Sequence, residues 1–387
     1  MIKLLFWSSA GLLVYVYLIY PLLLWLLPAF FRTSFQTRPI EPSVSLLVAA
    51  YNEGAVIGAK IENALSLDYP ARQLEIVVAS DGSTDATAQV VRSFAEEKAP
   101  GRVRLLEFPT NRGKVATLND ALPLLAGEIV AFSDASSMLT PDSLRHLVEY
   151  FADPHVGAVS GVYRVLKKEQ ANLGVQEDFY WRYETFLKVQ EAKLGGFTGA
   201  HGSLYAIRRE LYPFPAADTI NDDFVIPMRI RQHGYRIAYE PAAVAYEEAH
   251  EMEGFSRRVR ITAGNIGQLR EVKGLLWPPR IMSLFCLLSH KAGRLLVPLA
   301  MVLLILANVV LWRDPAYRWF LGGQLLFYGL AALGSRVTLK PGFLRLPYYF
   351  CMINSAFFAW LYHALRMGRM IPSRVELDKL GTPPPSS

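Results

Sequence analysis

Asp134 ends the apolar run "EIVAF" within "AFSDASSML", and Asp222 and Asp223 stand together in "TINDDFVIPMRI", ahead of an apolar stripe. A carboxylate where a buried strand runs out can hold a divalent cation that bridges a diphosphate. An adjacent acid pair ahead of a helix reads, on its own, as negative charge stabilised at a helix N-terminus. Three further clusters carry complementary residue types. Tyr51, between Ala50 and Glu53 in "AAYNE", can stack its ring on a planar base. Asp81, in "SDGSTD", can accept from a base N–H or a ribose hydroxyl. Lys114, in "PTNRGK", can meet phosphate or base oxygens at a helix start. Each has a plain structural alternative: a strand-end aromatic, a turn cap, a solvated ammonium. Together, at successive strand ends, they read as a nucleotide cleft.

Two more segments carry chemistry-bearing residues. "GGFTGAHGSLYAIRREL" (195–211) is rich in glycine and small residues, which allows close backbone approach. His201 stands alone in it, which is weak evidence for a ligand or an acid, and Tyr205 reads equally well as core. "FSRRVRITAGNIGQL" (255–269) carries Arg257, Arg258 and Arg260. Arginines there can neutralise a diphosphate, or form the basic face of an interfacial helix that meets lipid headgroups. The residues leave both open.

The elements that must position these groups follow from apolar patterning. "VSLLVAA" (44–50), "LEIVVAS" (74–80), "VRLLEF" (103–108) and "EIVAFS" (128–133) are strand-length apolar runs. Their nearly continuous apolarity predicts strands buried on both faces, as in a parallel sheet. Helical stretches at about 55–66, from near Asp85, and at about 114–125 alternate with them, the second capped by Asp81 or Ser83. This alternation predicts an α/β, doubly wound, Rossmann-like sheet with its ligand at the carboxyl ends of the strands, where the polar clusters fall. No G-x-G-x-x-G follows the first strand and no G-x-x-x-x-G-K-[ST] occurs, so dinucleotide and P-loop chemistry lose their support.

The ordered set "VAAYNE", "VVASDGSTD", "NRGK", "FSDAS" and "INDDF" resembles the membrane-anchored family 2 glycosyltransferases of the cellulose, chitin and hyaluronan synthase superfamily. The resemblance covers roughly 42–270. It implies a GT-A fold with a mixed sheet, and an inverting transferase using a nucleotide sugar, a UDP-linked hexose or N-acetylhexosamine. It gives Ala50, Tyr51, Glu53, Asp81, Lys114 and Asp134 to the donor. Asp134 becomes the leading acid of a metal-binding Asp-x-Asp motif for Mg2+ or Mn2+, with Ser136 where the family has its second acid. Asp223 becomes the general base that takes the acceptor's hydroxyl proton, with Asp222 orienting the neighbourhood. Gly199, Ala200, His201 and Gly202 fall at the acceptor end. Arg257, Arg258 and Arg260 fall where the synthases carry Gln-x-x-Arg-Trp. The missing Gln and Trp, with Ile261 at the Trp position, weaken any claim of long-chain processivity.

The two ends of the chain are apolar. Residues 4–27 lack charge over the roughly 20 residues that cross a bilayer, which reads as a signal anchor rather than a cleaved signal peptide. Three further spans are expected at 295–312, about 317–334 and 346–365. The segment 278–294 reads as a second surface helix, with His290 and Lys291 at headgroup level. The expected domains are an anchor (1–39), a GT-A domain (40–250), interfacial helices (251–293), C-terminal spans (294–370) and a tail (371–387). Lys3, Arg32 and Arg38, with Arg336, Lys340 and Arg345 in a later turn, place the enzyme domain on the cytoplasmic side of a bacterial-type inner membrane. Arg366, Arg369, Arg374 and Lys379 then conflict with the same rule, which leaves the side of the tail open.

A net charge of +6, much of it close to the apolar segments, suits anionic headgroups and forms no aromatic-interleaved basic stripe, against nucleic-acid binding. Cys286 and Cys351 allow neither a disulfide framework nor zinc spacing. Expected partners are a nucleotide-sugar donor, a polysaccharide or lipid-linked acceptor and membrane lipids. Four spans are few to enclose a sugar channel in one subunit, so polymer export would call for a homo-oligomer. The alternative reading, supported by Ser136 and the altered arginine segment, is a nucleotide-sugar-binding assembly subunit without transfer activity. A transporter is disfavoured because too little of the chain is apolar enough.

Overall fold

The computed structural model of the protein describes residues 1–166, 174–248, 254–269, 273–277, 279–337 and 342–367. β1 (Val44–Ala50) pairs in parallel with β2 (Leu74–Asp81) and β4 (Ile129–Phe132), and β2 with β3 (Val103–Phe108). These are the four strands that the apolar runs predict. β7 (Tyr205–Arg208) then runs antiparallel to β4 and to β6 (Val156–Leu166). β8 (Arg236–Glu248) lies parallel to β6, and the short β5 (Met138–Leu139) closes the edge. The result is one mixed eight-stranded sheet, ordered β3-β2-β1-β4-β7-β6-β8-β5.

Alternation along β1 divides the core between two layers. Leu46 and Val48 join the apolar cluster on one face, and Leu47 joins the cluster on the other. Burial on both faces is why the sequence of β1 reads as continuous rather than alternating. The helix after β2 begins at Thr87, later than expected, and its acid is Asp85 rather than Asp81 or Ser83. Asp85 accepts from the Thr87 amide at 3.0 Å and the Gly54 amide at 2.9 Å. Ser83 instead accepts from the Asn52 amide.

Helices lie at the four places where spans are expected, but among the described residues only two of them are long and apolar enough to cross a membrane. These two are Ile2–Ala29 and Ile281–Val310, and Pro315–Gly334 and Leu346–Met367 fill the other two places. Leu18, Leu22, Leu299, Leu306 and Leu326 face outward, the arrangement expected of a surface made for hydrocarbon. The segment 278–294 is not a separate surface helix. From Ile281 it is continuous with the helix that ends at Val310, and His290 is 1% exposed instead of facing a headgroup layer. Lys340, Arg369, Arg374, Lys379 and the expected tail 371–387 lie outside the described residues.

The burial of His290 follows from a polar network between the long apolar helices and the helix Gly174–Lys193. Glu191, fully buried on the helix Gly174–Lys193, accepts from Tyr20 at 2.7 Å and from Thr198, and meets His290 Nδ1 at 2.6 Å. The other ring nitrogen of His290 faces Glu184 at 3.3 Å, and Glu184 also pairs with Arg294. Four segments are thereby fixed to one another. Removing one partner of a buried charged set leaves the others unpaired, which costs ~3–5 kcal/mol. Glu191→Ala is therefore expected to lower the thermal midpoint of the detergent-solubilised protein sharply. Tyr20→Phe, which deletes one hydrogen bond, is expected to cost only about 1 kcal/mol.

Candidate active site

The carboxyl ends of β1, β2 and β4 open into one cavity of about 890 Å³. All the candidate residues from the sequence line it except Arg257, whose side chain lies outside the described residues. Ala50 closes β1 as a buried residue, and Tyr51 follows with 45% of its surface exposed, free for a planar ring to stack on. Asn52 takes a positive φ of 55° there, and its side chain accepts from the Thr84 amide at 2.8 Å, which ties the Tyr51 turn to the loop after β2. Glu53 lines the same turn.

Asp81 is 3% exposed. It accepts from the Arg112 amide at 2.9 Å and the Gly113 amide at 2.8 Å, one on each carboxylate oxygen. Its first task is thus to shape the loop that delivers Lys114. Each oxygen keeps a further lone pair for a ligand N–H or hydroxyl. Gly113 has φ +92°, a conformation that favours glycine, and Lys114 begins the next helix.

Lys114 joins the two acidic centres. Its ammonium lies 2.9 Å from Asp134 Oδ1 and 3.4 Å from Asp222 Oδ2. Burial works against its charge, but Asp134 and Asp222 outweigh it and hold the ammonium above the ordinary lysine range. Gly202 is where the acids converge: a Cβ added there would sit 3.5 Å from Asp134 Oδ2 and 3.6 Å from Asp223 Oδ2. The strand-end acid and the second acid of the pair therefore border one space. Gly199, at φ +125°, and Ala200, whose amide donates to the Asp223 carbonyl at 2.9 Å, hold the loop against the helix Asp222–Gln232.

Burial and the neighbouring Asp222 raise Asp223 above the usual aspartate range. A carboxylate so placed is a better proton acceptor near neutral pH. If it takes the proton, kcat/KM rises with pH along an acid limb whose apparent pKa exceeds the ordinary value of about 4. A pH–rate profile checks this, and Asp223→Asn should abolish the limb.

Ser136 donates to Glu247 on β8, and Tyr163 donates to the same carboxylate at 2.8 Å. Glu247 lines the cavity and escaped the sequence reading because nothing in "AYEEAH" marks which of its acids faces the site. It answers why a serine follows Asp134: a carboxylate already arrives there from another strand. Among the described residues no three or more His, Cys, Asp or Glu side chains cluster as a metal site. The available donors are oxygens, from Asp134, Ser136 and Glu247. That hard donor set fits Mg2+ or Mn2+ when a diphosphate and water complete the shell. Behind it Lys60, fully buried, donates to Ser133 at 2.7 Å and to the Ser137 carbonyl, which fixes the loop carrying Asp134. Burial brings the Lys60 ammonium down to about 7.

His201 is 4% exposed, and its ring packs edge-on against Trp181 and Tyr239. Burial, with Lys188 nearby, pushes it well below the ordinary histidine range, so it is a neutral wall residue and not a proton donor at neutral pH. Arg258 is buried, donates to Tyr349 at 2.7 Å and stacks 4.7 Å over the Tyr180 ring. Arg260 lines the cavity nearby. Lys188, which nothing in the linear pattern singles out, also lines it, as does Lys291, which was expected at headgroup level and instead faces this cavity.

A family model described as "Glycosyltransferase like family 2" matches residues 42–262. The chain is 33% identical over 199 residues to a beta-monoglucosyldiacylglycerol synthase of Nostoc sp., a match covering 49% of this chain and 41% of that protein. It is 27% identical over 227 residues to a poly-beta-1,6-N-acetyl-D-glucosamine synthase of Staphylococcus epidermidis, covering 57% and 54%. The chain thus spans about half or less of the length of these relatives. A mannosyltransferase from Pyrobaculum calidifontis, solved with GDP-Man and Mn2+, superposes with a TM-score of 0.70 at 27% identity over 92% of this chain and 99% of that one. The GT-A fold expected from the motifs is the fold this chain adopts.

Proposed function

The chain belongs to glycosyltransferase family 2, and we propose that it is a membrane-bound, inverting enzyme that moves a sugar from a nucleotide donor to a hydroxyl of a lipid-linked or polysaccharide acceptor. The observation that carries this reading is the convergence of Asp134 and Asp223 on one space across Gly202. The names of the relatives support both acceptor classes. The GDP-Man and Mn2+ held by the structural relative support a nucleotide sugar and a divalent cation. The two long apolar helices support membrane attachment, and Lys3, Arg32 and Arg38 favour a cytoplasmic enzyme domain.

In this reading Tyr51 stacks on the base and Asp81 accepts from it or from the ribose. Asp134, with Ser136 and Glu247, holds the cation, which when bound neutralises charge on the donor diphosphate. Lys114 supplies positive charge beside the same oxygens. Asp223 accepts the acceptor's hydroxyl proton as that oxygen attacks the anomeric carbon. The bond from the anomeric carbon to the diphosphate oxygen breaks on the opposite face, and its electron pair leaves with the nucleotide. Arg258 and Arg260 line the path between the donor and the membrane-side helices.

The test is nucleotide release by the purified full chain against a panel of UDP-, GDP- and CDP-sugars, with Mg2+, Mn2+ or EDTA. Release from one donor, lost with EDTA, is the expected result. Metal-dependent donor binding with no release under any acceptor condition favours the assembly-subunit alternative. No nucleotide binding at all overturns the cleft.

A further inference from the structure

The cavity does not end at Asp223. Beyond it the wall is built by the membrane-side helices, with Leu295 and Pro298 from Ile281–Val310 and Phe350, Ile353 and Phe357 from Leu346–Met367. Ile281–Val310 is one of the two helices long and apolar enough to cross a bilayer. Hydrocarbon side chains there, with Tyr17, Tyr349 and Asn354 among them, form a continuation of the cavity.

Two ammonium groups line the same cavity as this wall and the base. Lys188, 6% exposed, donates to the Ala200 carbonyl at 3.1 Å. Lys291 reaches Asn265 at 3.4 Å and lies 5.9 Å over the Phe224 ring. Neither has a carboxylate at ion-pair distance among the described residues, unlike Arg294, which pairs with Glu184. An ammonium offers three donors, so each Lys retains donors for a ligand. Beside them, His201 Nε2 and Trp181 Nε1 are buried without a hydrogen-bond partner, and both rings line the cavity. A buried indole N–H without a partner, beside ammonium groups that lack an ion pair, is costly unless a ligand meets it.

We propose that the acceptor is an anionic, hydroxyl-bearing membrane lipid. Its headgroup phosphate sits between Lys188 and Lys291, its hydroxyl faces Asp223, and its acyl chains lie along Leu295, Pro298, Ile353 and Phe357. This rests on the reading of Asp223 as the transfer base. The lipid hydroxyl oxygen bonds the anomeric carbon and its proton goes to Asp223. The donor's carbon–oxygen bond breaks, and the pair departs on the nucleoside diphosphate. A neutral diacylglycerol would give neither ammonium group a close ion-pair partner.

The test separates binding from turnover. Calorimetry in detergent, on the full chain carrying Asp223→Asn, compares dihexanoyl phosphatidylglycerol with dihexanoylglycerol. A charge-assisted contact is worth enough to favour the anionic lipid by about tenfold or more. Lys291→Gln is expected to erase that preference and Lys291→Arg to keep it. Equal affinity for both lipids, or a preference indifferent to Lys291→Gln, overturns the proposal. So does a loss of UDP or GDP affinity in Lys291→Gln in place of a loss of lipid affinity, because the anion would then belong to the donor. In vesicles, the wild-type chain should move labelled sugar into a chloroform-extractable anionic product. Label in diacylglycerol or in a water-soluble polymer also overturns it. A lipid preference without transfer to any acceptor sinks the transferase reading and leaves this lipid site standing.

Discussion

Asp223→Asn is expected to slow sugar transfer by about 10³-fold while changing donor affinity by no more than about threefold, the scale of loss when a general base is deleted. The substitution keeps the shape of the side chain and its place at the start of the helix Asp222–Gln232, and removes only the ability to take a proton. The carboxylate lies 3.6 Å from the position a Cβ at Gly202 would take, inside the cavity. Single-turnover transfer and calorimetric donor binding, on the same preparation, separate the two effects. A rate within tenfold of wild type would take the base role from Asp223.

Asp134→Asn has the opposite signature. It should weaken metal-dependent donor binding and reduce kcat/KM by roughly 10²–10³-fold, the range for losing one electrostatic stabiliser of a developing charge. Without this carboxylate Lys114 keeps only Asp222 as an ion-pair partner, so the lysine shifts toward the base pair and away from the donor. Titrating Mn2+ in the presence of a nucleoside diphosphate measures the change directly. Ser136→Asp is the informative contrast. Restoring the family's second acid places a negative group against Glu247, which Ser136 now meets as a hydrogen-bond donor. The expected result is weaker function than wild type, and improved metal affinity would show that Glu247 yields its place.

Residue types and their order determined a great deal. The continuous apolarity of 44–50, 74–80 and 128–133 requires strands buried on both faces, and "YNEG", "SDGSTD", "PTNRGK" and "SDASS" necessarily fall at their carboxyl ends. Local chain direction alone therefore assembles Tyr51, Asp81, Lys114 and Asp134 into a cleft. The long apolar segments at both ends are legible for the same reason: hydrophobicity summed over a helix length is a local quantity. The second half of the sheet was not legible, because β6 and β8 owe their stability to pairing across 70 or more residues rather than to a local period.

Only the tertiary structure decided what faces what. Glu247 meets Ser136 because β8 lies beside β5 and β6, a register that no spacing in the chain encodes. His290 looked like a headgroup-level residue on a surface helix, but is buried because Glu184 and Glu191 on another helix supply the carboxylates that make its burial affordable. Lys188 is an ordinary lysine in sequence, and Lys291 reads there as a headgroup-level residue. They become a candidate anion site only when two helices distant in the chain bring both ammonium groups to the cavity that Asp223 lines, with no carboxylate at ion-pair distance from either among the described residues. Charge compensation acts through space, and a linear sequence records only which charges exist.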